Sequence, residues 1–229
     1  MMGFARSRRL ATLLLCLGSP AAVADERDGT AGGARAARAA LLEPSSATMS
    51  REELMLGRID ADHEDGYLYR LPYGNGVSFP IIQGYGAKPS HSGAERFTVD
   101  FGMPIGTPVH AARNGVVVRV EDSHAAGCSR EECGWLANFV VVLHSDGTTG
   151  EYFHLQRASV RVRVGEQVGS GQWLARSGNT GFSTVPHLHF GVYRTGRDSR
   201  TESLAVRFQA RGGPVSVPRS GAHYRNLLE

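Results

Sequence analysis

From Tyr67 almost to its end, the chain is a succession of short apolar segments divided by glycine and proline. Gly115 to Glu121 and Asn138 to His144 are Val-rich and predict strands. Ser145-Asp146-Gly147 is a turn, and Thr149 to Leu155 predicts the partner strand of a hairpin. Val160 to Val168, Trp173 to Ser177 and His187 to Tyr193 predict further strands. In Phe97-Thr98-Val99-Asp100-Phe101 the apolar residues alternate, so Phe97, Val99 and Phe101 share one face and Asp100 points the other way. None of these segments carries the 3.6-residue period of an amphipathic helix. The pattern predicts a mainly β, mainly antiparallel domain. Upstream, Ser50-Arg51-Glu52-Glu53 matches a capping box and predicts a short N-terminal helix through about Arg58. Residues 25 to about 48 are rich in Ala, Arg and Gly without any period, which predicts a flexible leader.

The first 24 residues have the pattern of an export signal. Arg6, Arg8 and Arg9 form a positive start, Leu10 to Leu17 a short apolar run, and Ala22-Val23-Ala24 a small-residue cleavage site before Asp25. The run is too short to span a bilayer, and no later stretch approaches that length, so no membrane span is expected. A lipid anchor on Cys16 is the weaker alternative, because Leu15 stands where a small residue is usual. The domains expected are a signal over 1–24, a leader with a short helix over 25–66, a folded domain over 67–195 and a C-terminal extension over 196–229. A Gram-negative periplasm is the expected location.

Cleavage changes the picture that composition presents. The whole chain of 229 residues has 25 Lys+Arg against 22 Asp+Glu, and loss of three arginines leaves 22 against 22. A chain near neutrality has no charge-driven reason to bind nucleic acid or an anionic membrane. Cys128 and Cys133 remain after cleavage, and an even pair in an exported chain predicts a disulfide closing a small loop. With His124 they would make only a three-ligand, partial metal site. The sequence says nothing of oligomeric state.

The candidate chemistry centres on Asn179-Thr180-Gly181-Phe182-Ser183-Thr184-Val185-Pro186-His187-Leu188-His189-Phe190. A turn-forming stretch leads into a strand on which His187 and His189 share one face, while Leu188 and Phe190 anchor the other. Two adjacent imidazoles suit metal ligation and acid–base work. Taken alone, they could equally be incidental residues on a half-buried strand. Asp100 and His154 are each candidates, and each alone reads more simply as a solvent-facing Asp and a structural His. Alternation puts Tyr152 and His154 on one face and Phe153 and Leu155 on the other. His91 lies in a loop, Pro89-Ser90-His91-Ser92-Gly93, just before the Asp100 strand.

Several of these pieces together resemble the lysostaphin/LytM-like zinc metallopeptidases of family M23, which cut peptide cross-links in bacterial cell walls. The matching segments occur in the family's order: Val99-Asp100-Phe101, Gly106-Thr107-Pro108-Val109 and Ala111-Ala112-Arg113-Asn114-Gly115. Val142-Leu143-His144-Ser145-Asp146-Gly147, Tyr152-Phe153-His154-Leu155 and Val164-Gly165-Glu166-Gln167-Val168 follow. Last come Ser177-Gly178-Asn179-Thr180-Gly181 and Pro186-His187-Leu188-His189. The resemblance spans roughly residues 67 to 195 and implies an antiparallel β-sheet groove domain of the LytM/lysostaphin type, similar to duplicated hybrid motifs. It implies Zn²⁺ as cofactor, Asp100 and His189 as zinc ligands, and catalytic positions at His154 and His187.

One position departs from the family pattern. The usual His-x-x-x-Asp spacing falls on Arg96, and arginine stays protonated and cannot ligate zinc. His91 is the substitute that fits the order, with His110 as runner-up. Three protein ligands, His91, Asp100 and His189, leave a fourth position open for water, as catalytic zinc sites do. No His-Glu-x-x-His helix is present, so His154 and His187 would share the acid–base work. Gly181, Ser183 and Pro186 would shape the groove wall or simply form the turn.

The resemblance thus implies a secreted zinc endopeptidase acting on peptidoglycan peptides, with a catalytically inactive cell-wall binder or activator as the alternative. The alternative would need a damaged ligand set, and only the His91 position is irregular. A lipoyl- or biotinyl-type carrier, suggested by the Val164 to Val168 texture, needs a lysine at a hairpin tip. The only lysine is Lys88, outside any such hairpin.

Overall fold

The computed structural model of the protein describes residues 66–195 and 201–227. The expected signal, leader and capped helix lie outside the described residues. Among the described residues nine strands join in one sheet. They are β1 (Ser78–Gln83), β2 (Val99–Phe101), β3 (Gly115–Glu121), β4 (Phe139–Leu143), β5 (Thr149–Phe153), β6 (Gln167–Val168), β7 (Leu188–Thr195), β8 (Thr201–Ser203) and β9 (His223–Arg225). Their spatial order is β9-β1-β2-β7-β5-β4-β3-β6, with β8 beside β7. Every pairing within this sheet is antiparallel. Among the described residues three smaller sheets accompany it: Leu68–Arg70 with Arg207–Ala210 and Gly213–Val215, Pro108–His110 with Trp173–Arg176, and Gly127–Cys128 with Gly181–Phe182. Among the described residues no helix is long and apolar enough to cross a membrane.

Period-2 alternation sends one side of the central strands into a single core. Val99 and Phe101 from β2, Tyr152 from β5, and Leu188, Phe190 and Val192 from β7 are buried together there. Tyr69, Met103, Leu155, Leu174 and Phe208 complete the same cluster. Each such side chain contributes about 1.5–3 kcal/mol relative to leaving it in water. The Tyr152 hydroxyl is satisfied inside the core, accepting from the Ala112 amide at 2.8 Å.

The segment after residue 201 belongs to this core. Val206, Phe208 and Ala210 are buried in it. The Tyr85 hydroxyl donates to the Val206 carbonyl at 2.9 Å, and the Tyr73 hydroxyl donates to the Tyr224 carbonyl at 2.6 Å. Strand β9 extends the sheet edge beside β1.

Expected strands match observed ones except over Val160 to Val168, where only Gln167–Val168 pairs. Gly165 takes a left-handed φ of 89°, and Val164 remains 53% exposed. The Arg161 amide does reach the Leu174 carbonyl at 2.8 Å, but no continuous ladder forms. Alternation of Val with Arg imitates a strand here. The partner edge needed to make it one is missing.

The β4–β5 hairpin is fastened by its turn carboxylate. One Asp146 oxygen accepts from the Thr148 amide at 3.0 Å and from its hydroxyl at 2.7 Å. The other pairs with the buried Arg113 guanidinium at 2.7 Å. Burial acts to raise the Asp146 pKa, but the Thr148 bonds and the Arg113 charge outweigh it and hold the carboxyl below the ordinary 3.8. A lowered folded-state value stabilises the fold above pH 3.8, and that contribution is lost as pH falls through the folded value. Asp146→Asn is expected to cost about 2 kcal/mol in urea denaturation at pH 7. The gap to wild type should close as the solution is acidified below pH 3.8.

Candidate metal centre and groove

The β2–β7 register sets His189 directly across from Asp100, between core pairs Leu188–Phe101 and Phe190–Val99. On its other side His189 faces Phe153 of β5. The core-side residues anchor the two strands, so the imidazole and carboxylate are presented together on the opposite face. His189 Nδ1 lies 2.8 Å from Asp100 Oδ1. The loop before β2 folds over the same point and brings His91 Nε2 to 3.3 Å from that oxygen. Donor atoms of His91, Asp100 and His189 all fall within 4.8 Å of one another, and among the described residues this triplet is the group so arranged. Asp100 sits on the non-core face as expected, yet it is only 2% exposed. Alternation cannot anticipate the loops that cover it.

The donors are oriented as ligands would be. Gln83 Nε2 donates to Asp100 Oδ2 at 2.8 Å, which leaves Oδ1 facing the histidines. His91 Nδ1 is 2.9 Å from the Gly84 carbonyl. With Nδ1–H donating there, Nε2 carries a lone pair. That Nε2 is buried and has no hydrogen-bond partner. A buried lone pair aimed at a carboxylate oxygen is unfavourable unless a cation lies between them, so the residues present fit a metal ion. The Gly84 carbonyl is itself fixed from behind by the C-terminal segment. The Gly84 amide donates to Ser220 Oγ at 3.1 Å, and a Cβ at Gly84 would stand 2.1 Å from the Pro218 carbonyl oxygen.

His154 and His187 complete the cluster, with ring centroids 4.6 Å apart. His187 precedes β7 and is held by a bridge to Gly178. Its Nδ1 lies 2.8 Å from the Val185 carbonyl and 3.1 Å from Ser183 Oγ. Its Nε2 lies 3.7 Å from Asp100 Oδ1. His154 Nδ1 is 2.7 Å from the Thr180 carbonyl. Each ring therefore spends Nδ1 on a backbone carbonyl and keeps Nε2 as an acceptor.

The shared face expected for Tyr152 and His154 is corrected here. His154 adopts a left-handed φ of 62°, which breaks the alternation after β5. Tyr152 and Leu155 both enter the core, while Phe153 and His154 both line the groove. A left-handed non-glycine residue costs about 1–3 kcal/mol and persists only where its surroundings hold it.

The same surroundings set the charges. Burial, reinforced by the nearby His187 and His189, pushes the His154 pKa down to about 3. Burial also lowers that of His187. Burial opposes charge on His189, yet Asp100 and Glu95 beside it raise its pKa to about 9. Asp100 is likewise opposed by burial, but its histidine contacts hold it well below the carboxylate range.

Arg96, at the position where the resemblance places a ligand, is exposed, with its guanidinium 5.5 Å from the Phe97 ring centroid. His110 lies elsewhere, its Nδ1 2.8 Å from the Gly171 carbonyl. Spacing gave no sign of Gln83, Gly84, Thr180 or Glu95, because each acts through a contact made only after folding.

Asp100, His154, His187 and His189 line a groove of about 700 Å³ whose walls include Ile82, Pro89, Phe153, Phe182 and Val185. Cys128 and Cys133 form the expected disulfide. The loop it closes backs one wall, since Gly127–Cys128 pairs with Gly181–Phe182 and the Ser183 amide donates to the Cys128 carbonyl at 3.0 Å.

A groove lined by Asp100, His154, His187 and His189, with His91 buried behind Asp100, has the donor set of a candidate metal centre. Residues 95–201 match the family described as Peptidase family M23; His91 lies just ahead of that span. The peptidoglycan DD-endopeptidase ShyA of Vibrio cholerae is 40% identical over 98 residues, covering 43% of this chain and 20% of its own length. Lysostaphin of Staphylococcus simulans is 38% identical over 109 residues, covering 47% of this chain and 20% of its own. The chain thus spans about a fifth of these curated relatives. Among solved structures, the catalytic domain of the prophage-encoded M23 protein EnpA from Enterococcus faecalis aligns with a TM-score of 0.44 at 25% identity. That alignment covers 58% of this chain and 93% of that one.

The wall that carries the Thr180 carbonyl depends on Gly181, which has φ 79° and would place a Cβ 2.6 Å from the Ala137 Cβ. Gly181→Ala is expected to destabilise the fold by about 1–3 kcal/mol, read as a lower thermal midpoint.

Proposed function

We propose that the protein is an exported zinc endopeptidase that hydrolyses peptide bonds in the stem peptides or cross-links of peptidoglycan. The observation that carries this reading is the convergence of five groups. Donors from the buried His91 and Asp100 and the half-buried His189 meet at one point, and His154 and His187 hold their Nε2 atoms beside it. The match of residues 95–201 to Peptidase family M23 supports it, as does similarity to a relative named as a peptidoglycan DD-endopeptidase. Export is supported by the signal-like first 24 residues and by the Cys128–Cys133 disulfide, which suits an oxidising compartment.

His91, Asp100 and His189 would hold the metal. Bound zinc supplies a Lewis acid for the scissile carbonyl and lowers the pKa of a water towards about 7. The chain's own residues do the rest. The apolar walls, with Phe153 and Phe182 among them, receive an extended peptide and exclude water around the bond. His154 and His187 are kept neutral by burial, so each presents a lone pair at the start of the reaction. One imidazole takes the proton of the attacking water at Nε2 and, now an imidazolium, stabilises the developing oxyanion and passes that same proton to the leaving amine. The other accepts a hydrogen bond from the water at its Nε2 and orients it.

The direct test is digestion of purified peptidoglycan sacculi with the mature chain and zinc, read by mass spectrometry of the released muropeptides. Loss of cross-linked dimers with gain of monomers, abolished by a chelator, is expected. Unchanged sacculi alongside one bound zinc per chain would overturn the substrate. Absence of bound zinc would overturn the enzyme and favour a cell-wall binder. Among variants, His91→Ala and His189→Ala should lose zinc by elemental analysis, whereas His110→Ala should keep it. His187→Ala should keep zinc and lose turnover by about 10²–10⁴-fold; a fully active His187→Ala would sink the mechanism.

A further inference from the structure

His189 is contacted on both sides of its ring, and only one side faces the candidate metal position. Nδ1 faces Asp100 Oδ1 at 2.8 Å, while Nε2 lies 3.6 Å from Glu95 Oε2. Glu95 stands at the end of the short 3-10 turn Gly93–Glu95, four residues beyond His91. The same Glu95 oxygen accepts a hydrogen bond of 2.5 Å from the Tyr193 hydroxyl. Tyr193 is 4% exposed.

The sequence of β7 explains how Tyr193 reaches so far back. His189, Gly191 and Tyr193 share the groove face because they are two apart on one strand. A Cβ on Gly191 would lie 2.6 Å from Tyr193 Cε2. Lacking one, Gly191 lets the tyrosine ring lean along the strand towards His189. The hydroxyl then meets Glu95, and Glu95 meets the imidazole. His154 and His187, by contrast, set their rings with backbone carbonyls.

We propose that Glu95, held by Tyr193 across Gly191, is a positioning residue for the metal centre. Its carboxylate, 3.6 Å from His189 Nε2, favours a proton on that nitrogen, fixes the tautomer with Nδ1 as the donor atom, and makes Nδ1 a stronger ligand. A carboxylate behind a metal-binding imidazole typically contributes 10- to 100-fold in metal affinity. This inference rests on His189 being a ligand, as argued above. It adds a residue that acts on the metal position through His189.

The test is zinc affinity of the mature chain by competition with a chelator of known affinity, together with the visible spectrum of the cobalt-substituted protein. Glu95→Gln keeps the shape of the side chain and removes its charge. It is expected to bind zinc about 10- to 100-fold more weakly and to shift the cobalt bands, which a loss of packing alone would not do. Tyr193→Phe should weaken binding in the same direction by a smaller factor. His110→Ala, remote from the centre, should match wild type in both readouts. If wild type binds one zinc and Glu95→Gln binds it equally tightly with the same cobalt spectrum, the positioning role is wrong and the ligand assignment stands. If wild type binds no zinc, both are wrong.

Discussion

The whole centre depends on the register between the strand of Asp100 and the strand of His189. Leu188–Phe101 and Phe190–Val99 are cross-strand pairs buried in the core, and His189–Asp100 is the pair between them. A slip of one residue would exchange the two faces, sending the imidazole and carboxylate into hydrocarbon and the aromatic rings into the groove. The hydrophobic core thus does more than stabilise the sheet. By holding four apolar side chains on one face, it determines which two polar groups meet on the other.

Around that pair, three loops converge, and each arrives with its imidazole already aimed. Backbone carbonyls of Gly84, Thr180 and Val185 take the Nδ1 atoms of His91, His154 and His187. The remaining nitrogens are left as acceptors facing one region. A cation satisfies such a collection of lone pairs, which is why the geometry and the donor chemistry agree. The segment beyond residue 201, outside the span matched by the family, takes part in this aiming. It buttresses Gly84 through Ser220 and supplies Phe208 to the core. Its role is structural support for the surroundings of His91, some 130 residues earlier in the chain.

Much of the strand pattern was legible in the sequence, since Val-rich runs with turns between them obey simple alternation. The failures are instructive in physical terms. Val160 to Val168 alternates well but lacks a neighbouring edge, and backbone pairing needs a partner that pattern alone does not supply. Tyr152 and His154 were expected on one face, and the left-handed backbone at His154 separates them. Asp100 looked solvent-facing, because alternation distinguishes core from non-core and is silent on loops that fold back. Glu95 and Gln83 carried no signal at all. Each is an ordinary polar residue whose meaning comes from the atom it meets.

Sequence by itself determined the mainly antiparallel β architecture, the disulfide pair and the identity of the chemical groups. Those depend on period-2 patterning, on cysteine count and compartment, and on motif order, all of which are local or additive along the chain. Tertiary structure alone decided that His91 rather than His110 joins Asp100, and that the C-terminal segment braces the site. It alone set Glu95 behind His189. The reason is that metal ligation and hydrogen bonding act over about 2–3 Å, whereas the residues concerned are separated by up to 136 positions. Only the packed core brings such distant parts of the chain within reach of one another.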